Sequence, residues 1–191
     1  IVRHASDTPT DSADLQVGTL YLRADENRGE IFVGAVEPMG FGPSANNFEL
    51  ITHAYFVSPT SDFDPNLPSL RRLALTTGAN PLVTEEEVLI GAEDLQVQFG
   101  IDTDGDGSVN SYVDADGALD YSQVLSVRVW IRMRTEAQED AFTDNATYEY
   151  ADVVFTPSTS ADDSDDHLRR LLASKTVTLR NRVVELNGGA L

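Results

Sequence analysis

The sequence predicts a single α+β domain over residues 1–191, dominated by antiparallel strands. Three observations point there. Two long runs alternate apolar with polar residues: Leu95, Val97, Phe99 and Ile101, then Leu125, Val127, Val129, Ile131 and Met133. Period two over this length marks strands with one face inward and one toward water or a partner. Turn-rich stretches, not regular helical crossovers, join the apolar runs, which favours antiparallel pairing. One stretch, 167–173, reads as a short helix, with acids just before it at the helix's positive end.

The other elements follow in order. Residues 1–5 begin a strand, and 7–14 form a polar loop. Runs 15–23 and 31–36 make a hairpin across a turn holding Asn27 and Gly29. Residues 37–47 are rich in Pro and Gly and read as irregular. Run 48–57 carries good strand formers, and 70–76 is another strand. Stretch 82–94 is ambiguous. Thr84 and Glu87 form a capping box, but Gly91 and the β-branched Val88 and Ile90 oppose a helix, so a short strand or single turn is expected. Runs 148–156 and 175–186 complete about eight strands, and 158–166 is an acidic loop.

Composition narrows the function. The chain has 191 residues and is 41% hydrophobic, enough for a real core. Thirty-two acids against 13 basic residues give a net charge of −19. That argues against nucleic acid and anionic membranes as partners and favours cation binding. There is no cysteine, so disulfides and thiolate metal sites are absent. The histidines are dispersed, and neither a nucleophile elbow nor a phosphate loop is present, so no catalytic residue or organic cofactor site is expected.

The connection 102–122 is long for a compact domain, where structureless links rarely exceed about 12–15 residues. It opens with Asp102-Thr-Asp-Gly-Asp-Gly107, matching the front half of an EF-hand loop. Alternate carboxylates from Asp102, Asp104 and Asp106 converge on one ion, with Gly107 at the sharp turn. Ser108 would add its carbonyl and Asn110 its side chain. Position twelve, a bidentate Glu in an EF-hand, is Val113 here; Asp114, Asp116 or Asp120 would have to substitute. The favoured ion is Ca²⁺, in a structural role. The competing reading is a loop whose aspartates cap their own backbone.

Arg128, Trp130, Arg132 and Arg134 share one strand face. Two readings stand: ion pairs with the chain's own carboxylates on adjacent strands, or a protein interface, where Arg and Trp are enriched.

Three segments carry a resemblance: 89–107, which runs into the aspartate loop; Val-Leu-Ser-Val-Arg-Val-Trp-Ile-Arg-Met-Arg over 124–134; and Thr-Leu-Arg-Asn-Arg over 178–182. With their spacing they resemble the PilW family of type IV pilus minor pilins over the C-terminal half. The resemblance implies a non-enzymatic periplasmic domain of pilin-like α+β plan, an antiparallel sheet laid on an N-terminal helix. That helix would anchor the protein in the inner membrane and is expected to be missing from this chain. It also implies partners among the other minor pilins and the major pilin, a part in priming assembly, and a place at the cell-surface pilus tip. The chain is similar in plan to the J-type minor pseudopilins of type II secretion. A Ca²⁺-dependent adhesin or carbohydrate-binding β-domain is the reading from another class.

Overall fold

A computed structural model describes residues 1–75, 82–115, 119–157 and 165–179. The chain divides into two compact units, Ile1–Phe56 with Arg71–Val88, and Val57–Leu70 with Leu89–Leu191.

The first unit is built on a six-stranded sheet. Its strands are β1 (Val2–Ala5), β2 (Leu20–Ala24), β3 (Gly29–Val33), β4 (Asn46–Ser58), β5 (Ser69–Leu75) and β6 (Val83–Ile90), in the order β3-β2-β4-β5-β6 with β1 on β4. The expected hairpin is β2–β3, paired from Leu20↔Val33 to Ala24↔Gly29. Tyr21 is buried and stacks on Phe32, ring centroids 5.4 Å apart. The capping-box segment is strand throughout. Glu85 and Glu87, two residues apart, both reach Arg71, while Glu86 turns the other way to Arg72. Charges spaced by two on both faces suit a strand, and these cross-strand pairs override the local helix signal.

The second unit holds the four-stranded sheet β12-β9-β7-β8. Its strands are β7 (Ala92–Ile101), β8 (Ser111–Asp114), β9 (Val124–Arg134) and β12 (Arg170–Thr178). The hairpin of β10 (Tyr148–Tyr150) and β11 (Val153–Phe155) belongs to the same unit. β7 and β9 pair antiparallel, so the two alternating runs lie side by side in one sheet. The register puts Leu95 opposite Ile131, Val97 opposite Val129 and Phe99 opposite Val127. At Gly100 the sheet closes tightly: a Cβ there would stand 2.3 Å from Ser126 Oγ and 3.0 Å from Tyr112 and Val109.

The α+β class, and the pilin-like plan of a sheet on a helix, is corrected by these elements. Among the described residues every regular element is a β-strand or a short 3-10 turn. The expected helix 167–173 is a 3-10 turn, Asp165–His167, followed by β12. An isolated helix of that length is marginal. As a strand, the segment gains a continuous ladder on β9, from Arg170↔Arg134 to Thr178↔Ser126. Two other expectations shift as well. Run 148–156 is two strands, turned at Ala151 with φ +50°. The long link 102–122 contains β8 and the 3-10 turn Tyr121–Gln123. The last residue of the expected strand 70–76, most of the acidic loop 158–166, and the chain after 179 lie outside the described residues.

Candidate metal site and buried ion cluster

Because β8 pairs with β7 from Ile101↔Ser111 to Gln98↔Asp114, residues 102–110 are the loop of a hairpin. Two backbone bonds fix its base: Asn110 N donates to Ile101 O (2.9 Å) and Asp102 N to Gln123 O (2.9 Å). The loop itself turns on positive-φ residues, Gly105 (77°) and Gly107 (83°).

Asp102, Asp104 and Asp106 come together, each offering a carboxylate oxygen within 4.8 Å of the others. Asp102 is the buried member, the other two are exposed. Its Oδ1 accepts from Gly105 N (2.7 Å) and its Oδ2 from Gly107 N (2.9 Å). Burial alone would push the Asp102 carboxyl up. The Gly107 and Gly105 amides, with Asp104, more than offset it, and the net shift is downward. Asp106 Oδ1 accepts from Ser108 N (2.7 Å), and Asp104 Oδ2 from Asn110 Nδ2 (3.3 Å). Asn110 Oδ1 accepts from Thr103 N (2.7 Å). The aspartates thus cap their own loop while converging on one point. The negatively charged form of Asp102 is favoured, which a divalent cation requires.

Asp114 stands apart. It lies on β8 opposite Gln98, whose Nε2 donates to its Oδ1 (2.9 Å). Asp120 accepts from Ser122 N (2.9 Å) and caps the 3-10 turn. Asp116 lies outside the described residues.

The Arg-Trp-Arg-Arg face is divided. The Arg128 guanidinium lies over the Tyr112 ring at 3.6 Å, and its Nε donates to Thr176 Oγ1 (3.3 Å). Trp130 is half-buried between Gln96 on β7 and Ser174 on β12. Arg134 reaches Asn66 O (2.9 Å) and stands 3.5 Å from Glu93. Arg132 is buried, donating to Glu93 Oε2 (3.1 Å) and to Tyr150 Oη (2.9 Å). Its guanidinium packs 3.6 Å above the Phe155 ring.

Sequence reasoning missed the cluster that surrounds Arg132. The Arg170 side chain is wholly buried and grips Glu93 through Nε (3.0 Å) and Nη2 (3.2 Å), with Asp144 at 3.6 Å. Tyr150 Oη donates to Asp94 Oδ2 (2.6 Å), and Tyr148 Oη to Asp144 Oδ2 (2.9 Å). Burial first, then the bond to the Asp144 carboxylate, pushes the Tyr148 hydroxyl up to about 12. Burial and Asp94 push Tyr150 further up. A β-bulge makes the cluster: β7 pairs Ala92 with Met133 but Asp94 with Arg132, leaving Glu93 extra. In regular alternation Glu93 and Asp94 would face opposite sides; the bulge turns both toward Arg132. The sequence signal was there in the adjacent acids Glu93-Asp94 and in Tyr148-Glu-Tyr150, aromatics on one face of a short strand.

No helix among the described residues is long and apolar enough to cross a membrane. No curated protein and no solved structure matches the chain. A family model described as type IV pilus-assembly protein W matches residues 54–181. That span is more than half of the chain and takes in the aspartate loop, β7, β9 and the buried cluster; the chain belongs to the PilW family of type IV pilus-assembly proteins.

Proposed function

We propose that this chain works as a non-enzymatic minor pilin that helps prime type IV pilus assembly from the periplasm and then sits at the pilus tip. Its partners are other minor pilins and the major pilin. The family match over 54–181 carries this reading. The net charge of −19 opposes self-association, so the isolated chain is expected to be monomeric and to bind unlike subunits. Mixed with the domains of sibling minor pilins at moderate salt, in Ca²⁺, it should elute as a complex on size exclusion. Binding to none of them would remove the priming role.

We further propose that loop 102–110 holds one structural Ca²⁺. Asp102, Asp104 and Asp106 supply carboxylates; the Ser108 carbonyl and the Asn110 side chain complete the set once Asn110 releases Thr103. The convergence of three carboxylates within 4.8 Å supports it. Their mutual repulsion becomes ligation when a cation enters. With Asp114 on the strand, no bidentate acid closes the site among the described residues, so affinity belongs near ~10⁻⁴–10⁻³ M, as in extracellular modules. At ten times the dissociation constant, linkage adds about 1.4 kcal/mol to stability. Thermal melts in Ca²⁺ and in chelator should differ accordingly for the wild type and coincide for Asp104→Ala. Identical wild-type melts would leave the aspartates as turn formers only.

A further inference from the structure

We infer that the outer edge of β12, which no described strand covers, receives an extended strand from a partner protein, one that alternates apolar side chains and sets a carboxylate opposite Lys175. Among the described residues β12 ends the four-stranded sheet and pairs with β9. Every second residue of an edge strand turns its N–H and C=O outward, a template for another chain. Natural sheets blunt such edges with brevity, charge, proline or bulges. The end strands β8, β3 and β6 of the two larger sheets are blunted among the described residues. β8 has four residues, β3 has five, and β6 carries Glu85, Glu86 and Glu87. β12 runs nine residues in unbroken register, without proline or glycine, and its exposed face carries a single charge, Lys175, against three successive glutamates on β6. On one face it exposes Leu171 (62%) and Val177 (49%), side chains suited to cross-strand apolar pairs.

Charge selects the occupant. Lys175 is the chain's only lysine and stands exposed on that same face of the edge. It makes no ion pair among the described residues. A partner strand with an acid at that register would satisfy it, and a second copy of this chain, at −19, is repelled. This deepens the assembly reading and rests on it for the partner's origin. A synthetic strand separates the two, since its failure removes the edge and leaves the assembly role standing.

The probe is the peptide Val-Thr-Val-Thr-Asp-Thr-Val-Thr-Val, titrated into the whole chain and followed by backbone amide shifts. Shifts and slowed amide exchange are expected along β12. Replacing the peptide's Asp by Lys should weaken binding about tenfold, and Lys175→Glu should invert that preference. N-methylating alternate peptide amides should abolish binding, because main-chain hydrogen bonds carry strand addition. Absence of binding at millimolar peptide, shifts away from β12, or equal binding of the N-methylated peptide would overturn the proposal. So would a concentration-dependent dimer, in sedimentation without peptide, that Thr176→Pro abolishes; the edge would then belong to a second copy.

Discussion

Replacing Glu93 by Ala is expected to cost about 3–5 kcal/mol of folding stability, the range for removing one partner of a buried ion pair. Glu93 binds Arg132, Arg134 and Arg170 at once, and its side chain keeps only 12% of its surface exposed. Without it Arg170, wholly buried, loses both of its bonds to Glu93 and keeps the Asp144 carboxylate at 3.6 Å. Weakening the compensation of a guanidinium in that position is expensive because water cannot reach it. The hairpin β10–β11 should loosen first, since Phe155 lies against Arg132 and Tyr150 bonds it. Urea melts measure the loss, and amide exchange in β10 and β11 locates it. Glu139→Ala is the control, because it breaks the exposed Arg169–Glu139 pair at 2.7 Å, and such pairs contribute little. A loss for Glu93→Ala no larger than for Glu139→Ala would show that the cluster does not hold the sheet.

This cluster also marks where reading the sequence stopped. Alternation identified β7 and β9, and their facing side chains follow it: Leu95 meets Ile131, and Val97 meets Val129. Alternation cannot tell which face is covered. Arg132 on the polar face is buried, while Val127, Val129 and Ile131 on the apolar face are only half-buried. The reason lies outside the strand, in a bulge at Glu93 and a hairpin more than ten residues downstream that supplies Tyr150 and Phe155. The helix expected at 167–173 failed for a related reason. Its local propensity was outweighed by a ladder to β9 and by the Arg170–Glu93 bond, both contacts distant in sequence. The candidate metal site was more legible because it is local. The spacing of Asp102, Asp104 and Asp106 alone draws them together around Gly105 and Gly107. Asp114 was separated from them by strand pairing with Gln98, which spacing does not reveal.

Raising the pH from about 10 to about 12 should destabilise the fold through the same cluster. Tyr148 titrates near 10 when unfolded, and in the folded chain it is pushed up to about 12. The folded state therefore holds the hydroxyl proton more tightly. Below about pH 10 both states are protonated and the full contribution is present; it is lost as the pH rises toward the folded value. Burial dominates the shift, followed by the bond to Asp144, which an ionised phenolate cannot donate. Allowing for the ring's partial exposure, the loss from Tyr148 is about 1–3 kcal/mol. Tyr150, shifted in the same direction by burial and Asp94, extends the decline to higher pH. Urea melts at intervals from pH 9 to 12 should show a steady fall for the wild type. Tyr148→Phe should start less stable, because Asp144 loses a donor, and then fall less steeply over the same window. Parallel curves for the two proteins would mean that Tyr148 ionises no later in the folded chain than in the unfolded one, and its bond to Asp144 would carry no pH-dependent stability.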